Sequence, residues 1–379
     1  MIDDFELEQL VEPLAVWFDG HARVLPWREN PTPYYVWISE IMLQQTRVEA
    51  VKPYFERFIE TLPDVQDLAE CPEEQYLKLW EGLGYYNRVR NLNAAAQQIM
   101  QDYQGQIPSG YEELLTLKGV GHYTAGAIAS IAYGQPVPAV DGNVLRVIAR
   151  VTGDDSDIMK QSVRNHFEAR LGELMKTLQP EGRLVPSRFN QGLMELGAMV
   201  CVPNGEPHCG ECPWNMLCRA YRENRIALLP VKKKAKERRI EERTVLVIRD
   251  GERVAIHKRP SKGLLAGLYE LPNELGYMSQ EHVEAYMKRL GLMPLRIRPL
   301  SEAKHIFSHI EWHMRGYVVY VESMEWNNTG AEKNLGLLFV EAADARERYA
   351  IPTAFARYAE YMNIPLGAEA IRGDFGTNG

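Results

Sequence analysis

The spacing of apolar and polar positions divides the chain in two. From Asp3 to about Arg222, apolar residues recur every three or four positions, as in Val36-Trp37-Ile38, Ile41-Met42-Leu43 and Val48, which is the period of an α-helix. Prolines and glycines at Pro26, Pro31, Pro33, Pro63, Pro72, Gly105, Pro108, Gly134 and Pro136 punctuate this half and leave room for roughly ten helices of ordinary length. Beyond residue 240 the period shortens to two. Thr244–Ile248 and Arg253–Ile256 flank Asp250-Gly251, the signature of a β-hairpin. A helix over Gln280–Leu290, strands at Leu295–Ile297 and Gly316–Val321, and a late helix around Thr353–Met362 complete an α+β pattern. The expectation is a multi-domain protein: an all-α half over 1–222, a basic linker over 223–240, an α+β domain over 241–365 and a disordered tail over 366–379.

Composition adds bounds. With 379 residues, 45% hydrophobic and 25% charged, the chain can build two or three soluble domains with well-buried cores. It has no apolar run of about eighteen residues and no basic-then-apolar leader, so a cytoplasmic protein away from membranes is expected. A net charge of −8 argues mildly against a nucleic-acid partner, but local patches decide that question. Arg88 and Arg90 stand beside Tyr85 and Tyr86. The run Lys232–Arg239 carries six basic residues in eight positions and reads first as a solvated linker.

Four of the five cysteines, Cys201, Cys209, Cys212 and Cys218, fall in one short stretch with the spacing C-x7-C-x2-C-x5-C. In a reducing compartment such a cluster suits a metal centre better than two disulfides. Spacing alone leaves zinc and an iron-sulfur cluster both open, since each accepts four thiolates. Cys71 stands apart and reads as a buried thiol.

Three further features carry candidate chemistry. Gly119-Val120-Gly121 opens a helical stretch, His122 to Ala127, rich in small residues from Thr124 on, where backbone N–H groups can meet a phosphate; a ligand-free turn between helices is the alternative. Asp141 lies in an apolar setting before the helical stretch Val144–Val151, where an N-cap is the commonest use of Asp. Glu40 lies in the periodic segment Val36–Val51, with Trp37, Leu43, Gln44 and Arg47 as same-face neighbours. Two carboxylates flanking a glycosidic bond are the standard means of cleaving it, one as proton donor and one as stabiliser of the sugar cation.

Leu25-Pro26-Trp27-Arg28, Trp37 to Val48, Trp80-Glu81-Gly82-Leu83-Gly84-Tyr85-Tyr86, Gly119-Val120-Gly121, Val140 to Val144 and the four cysteines occur in one order. Together they resemble the adenine DNA glycosylase (MutY) family of helix-hairpin-helix enzymes, over about residues 5 to 365. The resemblance implies an all-α helix-hairpin-helix half with a [4Fe-4S] cluster on the four cysteines, and a C-terminal domain of Nudix-like fold. It implies a bacterial monomer acting on double-stranded DNA with A:8-oxoguanine or A:G mispairs. By position, Glu40 matches the acid that protonates adenine, Asp141 the carboxylate that stabilises the sugar cation, and Asn143 and Tyr123 positions that orient Asp141 and the deoxyribose. Arg28 and Gln191 match adenine contacts. Gln45 and Tyr85 match residues that wedge into the duplex, and Gly119 and Gly121 the DNA-binding hairpin. Phe307-Ser308-His309 matches a loop that touches 8-oxoguanine. Tyr123 occupies the place of the lysine that forms a Schiff base in endonuclease III-like lyases, which implies hydrolysis without strand cleavage.

Two departures stand out. Gly263 to Pro272 resembles the strand entering a Nudix box, but residues 273–290 lack the acidic helix that holds magnesium, so the fold is expected without the hydrolase. The first two cysteines are seven residues apart where the family usually has six, which puts the DNA contact of the loop Pro203–Pro207 in doubt.

Overall fold

Helical periodicity in the first half becomes a set of short helices joined by tight turns. The computed structural model describes residues 2–233, 237–322, 336–363 and 366. Pro33–Leu43 forms the helix that carries Glu40; Thr32 caps it by accepting from the Tyr35 amide at 3.1 Å, and Pro33 fits the first turn. Tyr34 and every residue from Val36 to Met42 are buried, so this is a core helix and not a half-exposed one. It also stops earlier than the periodicity suggests. Gln45 takes φ +60°, and a separate helix, Val48–Thr61, begins after the turn, so Arg47 is not a same-face neighbour of Glu40.

A second buried helix, Gly142–Thr152, starts at Asp141 and ends at Gly153, whose φ of +70° is the left-handed cap glycine adopts freely. Its arginines are buried and their guanidinium groups are paired with carbonyls: Arg146 with those of Gly197 and Cys201 (both 2.8 Å), Arg150 with those of Val202 (3.1 Å) and Leu229 (2.9 Å). Around it Leu14, Trp17, Phe167, Phe189, Leu193 and Trp214 close an apolar core. Helices Tyr111–Thr116 and His122–Ala127 flank the turn Leu117–Gly121 and form the helix-hairpin-helix.

Among the described residues, the C-terminal half is built on a sheet of eight strands: β1 (Arg239–Asp250), β2 (Arg253–Lys258), β3 (Tyr269–Glu270), β4 (Asn273–Leu275), β5 (Pro294–Pro299), β6 (Ala303–Ile306), β7 (Ile310–Val321) and β8 (Leu338–Val340). The main order is β3-β2-β1-β7-β5, with β1 and β7 parallel and the other pairs antiparallel. The hairpin falls at Asp250-Gly251, as its sequence predicts, with Asp250 opposite Arg253. β1 is apolar on both faces: Val245 and Val247 pack with Trp312, Phe355 and Tyr358, while Leu246 and Ile248 pack with Val283, Met287 and Phe339. Helix Gln280–Arg289 agrees with expectation, whereas Thr353–Met362 divides into a 3-10 turn and a short helix. Of Gly263–Pro272, only Tyr269–Glu270 is strand; Gly263 and Gly267 have φ of +97° and +67° and turn the chain before it. Leu366 is buried in the core; the rest of the expected tail, and residues 234–236 of the basic run, lie outside the described residues.

Contacts group Met1–Glu70 with Asn91–Ala235, and Cys71–Arg90 with Lys236–Gly379. The insertion of Cys71–Arg90 into the second unit departs from a sequential division of the chain. Its anchor is Glu81, which is buried and accepts from the Ile351 amide at 2.6 Å and from Lys78 Nζ at 2.5 Å; Lys78 also donates to the Ala345 and Tyr349 carbonyls. Among the described residues no helix is long and apolar enough to cross a membrane.

Candidate active site

Within the first unit, helix Pro33–Leu43, the hairpin, the start of helix Gly142–Thr152 and helix Pro186–Met199 enclose a cavity of about 1010 Å³. Arg28, Glu40, Gln45, Gly119, Gly121, Tyr123, Asp141, Asn143 and Gln191 all line it, although they span more than 160 positions of sequence.

Two close backbone approaches assemble this cavity. A Cβ on Gly126 would lie 2.3 Å from the Pro138 carbonyl oxygen, and one on Gly197 would lie 2.7 Å from Asn143 Cβ. Only glycine at these places lets the helix bearing Tyr123 lie against the segment leading to Asp141, and helix Pro186–Met199 lie against Asn143.

The two carboxylates are both buried but differ in the donors that reach them. Glu40 is 5% exposed, and burial raises its pKa from 4.5 to about 7. The negative charge of Asp141 adds to the rise, and the Tyr123 hydroxyl, donating to Glu40 Oε2 at 2.5 Å, opposes it. Burial also raises Asp141, but three donors oppose the shift: the Asn143 and Val144 amides on Oδ1 and Asn143 Nδ2 on Oδ2, each at 2.8 Å. Arg146 Nη2 in turn holds Asn143 Oδ1 at 2.8 Å. Asp141 is thus an N-cap and a cavity residue at once. Burial and the nearby carboxylates push the Tyr123 phenol well above its ordinary value, so it is a neutral donor.

Sequence reasoning missed Glu195. It is 1% exposed, takes Arg23 Nε at 2.5 Å and Arg28 Nη2 at 2.9 Å, and lines the same cavity. Burial alone would raise its pKa; the hydrogen bonds from Arg23 and Arg28 bring it down to about 2. Glu195 therefore fixes the guanidinium of Arg28 at the cavity wall. In Leu193-Met194-Glu195-Leu196 only an acid at an apolar helical position hints at this.

The hairpin glycines differ from each other. Gly119 has φ +76° and a Cβ there would meet Asn91 Cβ at 2.6 Å, so glycine is required. Gly121 has φ −101°, is exposed, and a Cβ there would meet nothing within 4 Å. Its lack of a side chain leaves open the approach of an outside group.

The remaining predicted residues lie elsewhere. In the second unit, Phe307 stacks edge-on against Trp312 at 4.9 Å, while Ser308 and His309 are exposed at the turn between β6 and β7. Ser308 Oγ lies 3.3 Å from the Tyr85 hydroxyl, which joins two residues predicted separately. The basic patch proposed around Tyr85 is not an open one: Arg88 is 9% exposed, and Arg90 pairs with Glu73 Oε1 at 2.8 Å and the Ala266 carbonyl at 2.6 Å.

The four cysteines line one small apolar cavity of about 30 Å³ together with Trp214 and Arg150. Arg150 Nη1 approaches Cys201 Sγ at 3.3 Å. Burial, with Cys201, Cys218 and Cys209 adjacent, pushes the Cys212 thiol up to about 12. Among the described residues, no three His, Cys, Asp or Glu side chains are drawn together tightly enough to form a metal cage as they stand. The first gap between the cysteines runs as open coil, with Gly205 at φ +77° and the His208 amide closing back on the Val200 carbonyl at 3.0 Å.

A hairpin-bearing helical unit with a carboxylate-lined cavity is the architecture of base-excision DNA repair proteins. The family model described as HhH-GPD superfamily base excision DNA repair protein matches residues 38–173, which include Glu40, Tyr123, Asp141 and Asn143, and the NUDIX domain model matches residues 244–361. Adenine DNA glycosylase of Mus musculus is 36% identical over 79% of this chain and 68% of its own length. That of Rattus norvegicus is 34% identical over 92% and 77% respectively, and that of Buchnera aphidicola subsp. Schizaphis graminum is 33% identical over 79% and 84%. The chain belongs to the adenine DNA glycosylase family.

Proposed function

We propose that this protein removes adenine mispaired with 8-oxoguanine or guanine in double-stranded DNA, hydrolysing the N-glycosidic bond without cutting the strand. The observation that carries the mechanism is the contrast between Glu40, buried and poised near pH 7, and Asp141, bound by three N–H donors. An adenine taken out of the stack enters the cavity beside Arg28 and Gln191. Protonated Glu40 gives its proton to N7, so that the electrons of the breaking N9–C1′ bond pass into a neutral leaving base. Asp141, its carboxylate held by three N–H donors, faces the oxocarbenium-like sugar, and water completes the hydrolysis at C1′. Tyr123, bonded to Glu40, has no amine to form a Schiff base.

Cys201, Cys209, Cys212 and Cys218 fit a [4Fe-4S] cluster. The donor set is four thiols about one cavity, with the Arg150 cation beside it to balance a negative cluster. A bound cluster there would supply structural cross-linking within the chain from 201 to 218, which lies against Arg150 of helix Gly142–Thr152. Phe307, Ser308 and His309 are assigned to the base opposite the adenine, and Gln45 and Tyr85 to the wedge into the duplex around it.

The test is a single-turnover assay on duplexes with A:8-oxoguanine, A:G and A:T. Adenine release from the first two, with no borohydride-trapped DNA adduct, is the expected result. Intact adenine in the A:8-oxoguanine duplex would sink the proposal.

A further inference from the structure

Tyr85 is held in an improbable way. Gly82, Gly84 and Tyr85 have φ of +100°, +71° and +49°, so three of four consecutive residues are left-handed, and the last has a large side chain. A non-glycine residue pays roughly 1–2 kcal/mol for this conformation, which persists only where the surroundings enforce it. Yet the ring is 48% exposed, so burial of Tyr85 itself does not enforce it.

Arg88 supplies the constraint. One of its terminal nitrogens, Nη2, donates to both the Leu83 and Gly84 carbonyls at 3.1 Å, the two peptides that lead into Tyr85. The same guanidinium lies 5.2 Å from the Trp80 ring centre and 5.7 Å from that of Tyr85. Trp80 Nε1 adds a third hydrogen bond, to the Gly84 carbonyl at 3.1 Å. The group is withdrawn from water, and burial lowers its pKa to about 10. A planar guanidinium can donate edge-on to two carbonyls while its face meets two rings; an ammonium cannot do both.

We infer that Arg88 is a positioning residue for DNA recognition: it locks the left-handed turn and backs the Tyr85 ring, so that the ring is presented rigidly to the bases beside the lesion. This rests on the assignment of Tyr85 to the wedge. It differs from a phosphate contact, the role a basic residue beside two tyrosines suggests, in what each predicts. A phosphate contact tolerates lysine and contributes about one unit to the slope of log affinity against log salt. A positioning arginine does neither.

The experiment is a double-mutant cycle on the full chain, with Arg88→Met, Tyr85→Leu and the double variant, plus Arg88→Lys. Single-turnover adenine release and duplex affinity at several salt concentrations are measured on A:8-oxoguanine DNA. Expected is a loss on the order of tenfold in release rate or affinity for Tyr85→Leu, the scale of one lost base–aromatic stack. Arg88→Met and Arg88→Lys should lose a similar factor with an unchanged salt slope, and Arg88→Met should cost little more once Tyr85 is already leucine. Equal costs of Arg88→Met in both backgrounds, or full activity of Arg88→Lys with a normal slope, would overturn the inference while leaving Tyr85 as the wedge. A silent Tyr85→Leu would overturn both. Thermal melts accompany each variant: melting of Arg88→Lys at assay temperature would assign Arg88 to holding the fold and reject the positioning role.

Discussion

Glu40 is the residue whose environment departs furthest from what its neighbours in sequence suggest. Because its folded pKa is about 7 against 4.5 for an exposed glutamic acid, the folded chain holds this proton more tightly than the unfolded one. That contribution is complete below about pH 4.5 and is lost as pH rises toward 7, amounting to roughly 3 kcal/mol. Denaturant unfolding at pH 5 and pH 8 should therefore show a larger fall for the native chain than for Glu40→Gln, which has nothing to titrate; equal falls would refute a raised pKa. Glu40→Gln should also lose about 100- to 10,000-fold in adenine release, the usual worth of a positioned acid. Tyr123→Phe makes a separate point. Its hydroxyl lowers the Glu40 pKa, so its removal should move the alkaline fall of the pH–rate profile to higher pH. A profile unmoved or moved downward would show that the 2.5 Å bond does not govern the proton. The apolar neighbours Trp37 and Leu43 agree with a buried, protonated Glu40, but the end of its helix was not legible from the sequence. Periodicity ran the helix on to Val51 and set Arg47 beside the carboxylate, because the left-handed Gln45 that ends it is not glycine and gives no signal.

At the scale of elements, the site depends on how closely helices approach. The sequence displays this as small residues, Ala125-Gly126-Ala127, without showing what they face. The structure shows the Pro138 carbonyl against Gly126, so Gly126→Ala must part the helix of Tyr123 from the segment that ends at Asp141. Overpacking of this kind costs about 1–3 kcal/mol. The activity loss should exceed the stability loss, since Tyr123 and Asp141 sit at the ends of the two parted elements; a calorimetric scan beside a single-turnover assay decides, and a fully active variant of lowered melting temperature would count against the argument. The N-cap at Asp141 was legible, because an acid before an apolar helical run is a local signal. Glu195 was not, because its partners Arg23 and Arg28 are 172 and 167 residues away and only tertiary packing brings them together. The hairpin of β1 and β2 was read correctly for the same reason that Asp141 was: its turn chemistry is contained in two residues.

Across the whole molecule, the grouping of Cys71–Arg90 with the C-terminal residues changes what removing those residues should do. Sequence gives no hint of it, since the segment reads as part of the helical half and its anchors are backbone groups near residue 350. Glu81 is buried against the Ile351 amide and Lys78, and Lys78 reaches the carbonyls of Ala345 and Tyr349. A chain ended after Lys233 leaves Glu81 without the amide and Lys78 without both carbonyls, and the turn that presents Tyr85 lies only a few residues further on. If the C-terminal half served only to read 8-oxoguanine, the shortened chain would keep its rate on A:G and lose only its preference. The packing predicts a fall on A:G as well, together with faster proteolysis within 71–90. Glu81→Gln in the full chain isolates the cause: it weakens the pairing with Lys78 and should destabilise by about 2–4 kcal/mol, the cost of breaking a buried pair. An unchanged A:G rate in the shortened chain, with 71–90 still resistant to protease, would show that this segment keeps its structure without the C-terminal residues.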